Sequence, residues 1–220
     1  MRFQCRRCAG LAAVVLLWGN MAVGREGNGG QEIRVLVNNS AGVSVVILNQ
    51  AKVEASRIFR AAGIEIDWVD CPREALEDDA CRRVPGSNDF VLHIVAKGRT
   101  SSDLVFGLSF LGEDGAGKYS DIFYDRVEQA HRELGADVPK LVGTVAAHEL
   151  GHLLLGLHAH SYAGIMAAVW REEALRNLGM GSLHFSGDQA ARMRARIRGG
   201  ERTMVRVTAS AGRNTGGFDF

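Results

Sequence analysis

The chain has almost no excess charge: 26 lysines and arginines against 25 aspartates and glutamates give a formal net charge of +1. That balance removes the electrostatic case for a nucleic-acid partner, which requires a basic face. Arginines do cluster late, at Arg192, Arg194, Arg196, Arg198, Arg202, Arg206 and Arg213, but no aromatic residues interleave with them to stack bases. They read as a solvated helix face. Long apolar runs are also lacking, since the stretch from Ala9 to Trp18 is short for a membrane span. With Arg2, Arg6 and Arg7 before it and Ala22-Val23-Gly24 after it, that stretch reads as a signal peptide cleaved after Gly24. A secreted or periplasmic protein is then expected, with an uncleaved signal anchor as the alternative. Cysteine is scarce, with four in the chain. Cys5 and Cys8 have no second CxxC to complete a zinc ribbon, and they fall inside the signal segment. Cys71 and Cys81, with Pro72 and Pro85 beside them, read as a disulfide that staples a charged surface excursion. No internal repeat is visible. One catalytic-sized domain is expected over residues 25–198, and the glycine, arginine, serine and threonine of 199–220 suggest a largely disordered tail.

What the chain does hold is His148-Glu149-Leu150-Gly151-His152, an HExxH motif inside an apolar stretch. Residues four apart on a helix lie on one face, so His148 and His152 can aim ring nitrogens at one Zn2+ ion. Glu149, one position round, cannot easily join the same shell, but it can act as a general base toward a water there. Leu141, Val142, Val145, Ala146, Leu150, Leu153 and Leu154 repeat at helical spacing, so the helix should be buried. Imidazoles and a carboxylate inside such a helix are costly unless something satisfies them.

A third ligand has to come from beyond the helix, because a helix that simply continued would carry it too far along the axis. Gly156 is the natural stop, since glycine adopts the left-handed conformation that closes helix C-termini. His158 and His160 follow it. The stretch resembles the metzincin metalloproteases, whose HExxHxxGxxH motif supplies three histidines and is followed by a methionine-containing turn. Gly164-Ile165-Met166 looks like that turn, with Met166 packing below the metal and not binding it. One departure is that the glycine stands at Gly156, where the pattern would place it at Leu155. His158 keeps the nominal spacing, but a helix one residue longer needs more returning chain, which favours His160 over His158. The chain is similar as well to a group of secreted bacterial zincin-like proteins reading HELGHLLLG, then HS and GIM. His160-Ser161 and Gly164-Ile165-Met166 fit that pattern, and Trp170-Arg171-Glu172 is similar too. Glu172 or Glu173 as third ligand, as in thermolysin-like enzymes, is the alternative.

The coarse element order predicts an α/β (α+β) fold. Strands are expected at 33–37, 64–69, 90–96, 104–111 and 119–124, with helices at 43–62, 125–134 and about 139–156. In the helix over 43–62, Val46, Ala51, Val53, Ile58 and Phe59 supply the apolar spacing. The strand over 90–96 is apolar on both faces and should be central. A short helix carrying Trp170 and Leu175 should follow the turn, and then a last helix from Ser186, with Ser186 and Gln189 as a capping box. His184, just before it, reads as a boundary residue. The metzincin resemblance implies a twisted mixed sheet of about five strands with one packing helix, the zinc helix and a small helical C-terminal part. It also implies that 104–111 is a cleft-edge strand able to pair with an extended peptide. The expectation is a monomeric zinc-dependent endopeptidase using one zinc ion held by His148, His152 and His160, with Glu149 as base and proteins or peptides as substrates. The competing class is a non-catalytic zinc-binding module on the same scaffold, which would close its metal with a fourth protein ligand.

Overall fold

The computed structural model describes residues 31–71, 79–82, 84–100, 105–181 and 183–211. The expected signal segment and its cleavage site, with Cys5 and Cys8, lie outside these residues, as does Leu104. Five strands form one mixed sheet: β1 (Gln31–Asn39), β2 (Ile64–Asp70), β3 (Asp89–Val95), β4 (Gly107–Phe110) and β5 (Tyr119–Phe123). Their order across the sheet is β2-β1-β3-β5-β4. All neighbours are parallel except β4, which runs antiparallel to β5 along the open edge. The strand apolar on both faces, β3, is the middle one, as its composition implies.

Helices α1 (Val45–Ala61) and α4 (Val138–Leu155) pack on each other and on one face of the sheet. Helix α1 starts at Ser44, whose hydroxyl accepts from the Ile47 N–H, and buries Leu48, Ala51, Ala55, Ile58 and Phe59. Val46 and Val53, which the sequence places in the packed stripe, are exposed at 62% and 66%. They sit seven apart on the side of the helix opposite Leu48, so a count of apolar residues without phase misassigns them. Asp137 caps α4 by accepting from the Lys140 N–H, and Pro139 occupies its first turn, where a missing N–H costs nothing. All seven apolar residues expected to bury α4 are buried.

The remaining helices are α2 (Asp79–Arg82), α3 (Tyr124–Leu134), α5 (Glu172–Arg176) and α6 (Gly187–Ala211). Ser186 and Gln189 form the expected capping box: the Gln189 N–H donates to Ser186 Oγ at 3.2 Å and the Ser186 N–H to Gln189 Oε1 at 2.9 Å. Two expectations need correction here. Trp170 precedes α5 and is not part of it. Helix α6 runs through Gly199 and Gly200 to Ala211, where a disordered tail was expected from 199. Of the two glycines that suggested a break, Gly200 fits the contact with the neighbouring turn, since a Cβ there would lie 2.7 Å from Asn88 Oδ1, while one at Gly199 would meet open space. Cys71 and Cys81 form the expected disulfide between the end of β2 and α2. No helix among the described residues is long and apolar enough to cross a membrane.

Candidate active site

Helix α4 presents His148 and His152 on one face, one turn apart. The chain then has to turn back, and it does so with two residues of positive φ. Gly156 (φ 79°) ends the helix, its N–H donating to the His152 carbonyl at 2.9 Å. His158 (φ 58°) is the other, the one non-glycine residue with positive φ among those described. Ala159 is then buried and His160 returns toward α4. The longer helix is thus followed by a longer return, and His160, not His158, reaches the other two rings.

The Nε2 atoms of His148 and His160 each lie 3.1 Å from the Nε2 atom of His152. Among the described residues these three form the one group of histidine, cysteine or carboxylate side chains arranged to hold a metal ion, all within 4.8 Å of one another. His158 and Glu172 are not in it. His158 is exposed at the turn and lines the same cleft without joining the group, and Glu172 is exposed on α5, 3.3 Å from Arg176.

The donor chemistry fits a zinc ion. Ligand atoms about 2.0–2.1 Å from a tetrahedral ion sit about 3.3 Å apart, close to the two 3.1 Å separations, while all three atoms lie within 4.8 Å of one another. The Nδ1 of His148 faces the Ile165 carbonyl oxygen at 2.7 Å. A carbonyl can only accept, so Nδ1 carries the proton and a neutral His148 turns an Nε2 lone pair inward. Three ring nitrogens converging in this way would hold a cation placed among them by their inward lone pairs. Burial pushes the pKa of His148 and of His152 down to about 4, so both rings are uncharged and able to coordinate near neutral pH.

The methionine turn is built from the same short motif. The Ser161 N–H donates to the Met166 carbonyl at 2.8 Å and the Ile165 N–H to the His184 carbonyl at 3.1 Å. Gly164 (φ 82°) makes the turn tight, and a Cβ there would lie 2.8 Å from the His184 oxygen. Met166 is fully buried and packs close to α4 where Gly151 leaves room, since a Cβ at Gly151 would lie 2.7 Å from Met166 Sδ. His184 therefore contributes its backbone, in keeping with a boundary residue.

Glu149 is buried beneath the edge strand. Ser109 Oγ is 2.7 Å from Glu149 Oε2 and 2.8 Å from the Glu149 backbone oxygen. Burial raises the Glu149 pKa to about 8, with the Ser109 hydrogen bond working against that rise and the charge of Asp121 adding to it. Ser109 and Gly107 went unnoticed in the sequence, because 40 residues separate Ser109 from Glu149 and only the fold joins them.

The three rings and Glu149 line an open cleft of about 460 Å³ whose other walls are mostly apolar, including Phe106, Leu108, Leu157 and Trp170. Phe106 and Trp170 stack with centroids 6.3 Å apart. On the other side of the sheet, Ser40 Oγ is 2.7 Å from His93 Nε2, and His93 Nδ1 is 3.7 Å from Asp121 Oδ1. That array lacks the donors of an acyl-transfer site at its serine, because the Ser40 and Ala41 N–H groups both donate to the Ile94 carbonyl.

No known sequence family matches the chain. No characterised protein matches it by sequence either. Solved structures do. A zinc-dependent peptidase from Methanocorpusculum labreanum is 14% identical, with a TM-score of 0.51 over 72% of this chain and 99% of that one. Archaemetzincin from Methanopyrus kandleri is 15% identical, with a TM-score of 0.49 over 77% of this chain and 97% of that one. Metalloproteinase-II from Bacteroides fragilis is 13% identical, with a TM-score of 0.49 over 76% of this chain and 54% of that one. The chain thus has the mixed α/β fold of the Methanocorpusculum peptidase, a likeness of fold at this level of identity.

Proposed function

We propose that the chain is a zinc metallopeptidase that hydrolyses peptide bonds, with His148, His152 and His160 as the metal ligands and Glu149 as general base. The observation that carries this reading is the convergence of three Nε2 atoms, each 3.1 Å from its nearest neighbour, beside a buried carboxylate in an open cleft. Zinc bound there supplies Lewis acidity, which makes water nucleophilic near neutral pH and polarises a carbonyl. The chain does the rest. His148 is held in one tautomer by Ile165, and Glu149 accepts the proton of the attacking water and returns it to the leaving amine.

The open edge of β4 supports an extended peptide as substrate, because an unpaired antiparallel edge can add one more strand. Three converging histidines, with no fourth side chain in the group among the described residues, support an enzyme over a purely structural zinc module. That the fold's Methanocorpusculum neighbour is a zinc-dependent peptidase points the same way. Secretion after cleavage near Gly24 belongs to this proposal and is supported by the Cys71–Cys81 disulfide, since such bonds persist in oxidising compartments.

The test is metal analysis of the purified protein together with hydrolysis of a peptide library. About one zinc per chain is expected, with cleavage that Glu149→Ala abolishes while the zinc stays. Full cleavage by Glu149→Ala would remove the base from the mechanism. Zinc without cleavage of any peptide would leave the binding module as the better reading.

A further inference from the structure

The residues of β4 that would meet a substrate strand are the ones that hold the general base. The Phe123 N–H donates to the directly opposite Phe106 carbonyl at 2.8 Å. In an antiparallel pair such residues alternate, so Leu108 and Phe110 turn their backbone groups toward β5 and Gly107 and Ser109 turn theirs to the open edge. The side-chain positions of these two residues lie on the sheet face that α4 covers. Ser109 Oγ meets Glu149 Oε2 there at 2.7 Å. At Gly107 a Cβ would stand 2.6 Å from Oε1 and 2.8 Å from Cγ of the same residue, so only glycine leaves room for the carboxylate.

We propose that Ser109 is a positioning residue for Glu149: it fixes Oε2 against β4, so that Oε1, lying along Gly107, is the oxygen that takes up and returns the proton. The proposal rests on the metallopeptidase reading above. A hydroxyl suits the task because it both donates and accepts. It can give its hydrogen to Oε2 while the carboxylate is charged. Its second contact, to the Glu149 backbone oxygen 2.8 Å away, ties the hydroxyl to the helix that carries the base. The carboxylate then stays in one rotamer through the proton cycle. Because the same strand would carry the substrate, the base and the scissile bond share one frame of reference. Misplacing such a group by about 1 Å can lower rate about 100-fold.

The experiment compares zinc-loaded full-length wild type, Ser109→Ala, Ser109→Thr and Glu149→Ala on one cleaved peptide, with zinc content, thermal midpoint and affinity for a peptide hydroxamate measured in parallel. Ser109→Ala should lower kcat about 10- to 100-fold with KM within about twofold, since its backbone edge is intact. Its hydroxamate affinity should fall as well, because that group hydrogen-bonds to the base, while zinc content and melting stay those of wild type. Ser109→Thr keeps the hydroxyl on a residue that strands accept and should restore most of kcat. Wild-type kcat in Ser109→Ala, or a threonine variant as slow as the alanine one, overturns the proposal while an inactive Glu149→Ala keeps the peptidase reading intact. A loss of rate matched by a loss of zinc or of melting temperature, and not repaired by threonine, overturns it too. If wild type cleaves nothing, the peptidase reading fails and the positioning role falls with it.

Discussion

His148 and Ile165 are joined across the site: the ring Nδ1 lies 2.7 Å from the backbone oxygen of the turn, so the turn dictates how the helix presents its first histidine. The same oxygen accepts from Trp170 Nε1 at 3.1 Å, and the indole stands edge-on to the His148 ring with centroids 5.3 Å apart. Trp170 therefore steadies both the oxygen and the ring. Partners of metal-bound histidines typically change metal affinity 10- to 100-fold when removed. Trp170→Ala should weaken zinc binding by about that factor in a competition with a chelator, and Trp170→Phe, which keeps the ring face, by less. Equal affinity in all three proteins would reduce Trp170 to a wall of the cleft.

The two candidate third ligands separate cleanly by substitution. His160→Ala removes one of the three converging nitrogens and should leave the purified protein largely free of zinc. His158→Gly should keep the metal, and should hold the turn at least as well as histidine, because glycine adopts a φ of 58° without steric penalty. Metal content by mass spectrometry decides it. Loss of zinc in the His158 variant with retention in the His160 variant would reverse the assignment.

Gly151 lies between the two helical ligands, where alanine would ordinarily help a helix by about 1 kcal/mol. Here the opposite sign is expected. The added methyl would lie 2.7 Å from Met166 Sδ and 2.8 Å from Phe185 Cε1, both closer than carbon or sulfur tolerates. Overpacking of this kind typically costs about 1–3 kcal/mol. Gly151→Ala should lower the thermal midpoint and, by pushing on the methionine turn that holds His148, weaken zinc binding. A more stable variant with unchanged affinity would show that the turn does not rest on this glycine.

Much of the site could be read from residue order, because its parts are local. An HExxH helix with a glycine stop brings His148 and His152 to one face, and a returning loop of this length carries His160 to them. The turn at Gly164-Ile165-Met166 lies within a few residues of the strand bridge that anchors it at Ser161 and Ala167. What was not legible is long-range. Nothing near Ser109 says that it touches Glu149, and nothing in the strands says that β1 lies between β2 and β3. The edge strand was expected over eight residues, and β4 spans four of them, Gly107–Phe110. Helix α6 outlasts its glycines for a reason that sits at Ser87 and Asn88, far away in sequence.

The late arginines, expected on a solvated face, also reach two helix ends. Arg194 Nη1 donates to the Ala62 carbonyl at 2.5 Å, at the C-terminus of α1, and Arg192 Nη2 to the Leu155 carbonyl at 3.3 Å, the last residue of α4. A cation at a helix C-terminus both satisfies an orphan carbonyl and opposes the helix dipole. Arg194→Met, which keeps the aliphatic stem, should lower unfolding stability by about 1–2 kcal/mol in denaturant titration. Arg196→Met should fall within about 0.5 kcal/mol of wild type, as exposed substitutions do. Equal effects at the two positions would mean that the charge acts through the general field of the helix and not through the cap.

The disulfide should matter for stability and not for chemistry, because of where it lies. Cys71 follows β2, its N–H donating to the Val37 carbonyl at 2.9 Å, and Cys81 lies in α2, so the bond ties down an excursion beside one edge of the sheet. The candidate site lies at the opposite edge, under β4, with β1, β3 and β5 between. A cross-link with a sequence separation of 10 residues restricts the unfolded chain by about 2–3 kcal/mol. Reduction, or a Cys71→Ala/Cys81→Ala variant, should therefore lower the thermal midpoint by several degrees, while zinc content and kcat well below that midpoint stay those of the oxidised protein. A fall in kcat without a fall in melting temperature would mean that β2 communicates with the cleft through the sheet.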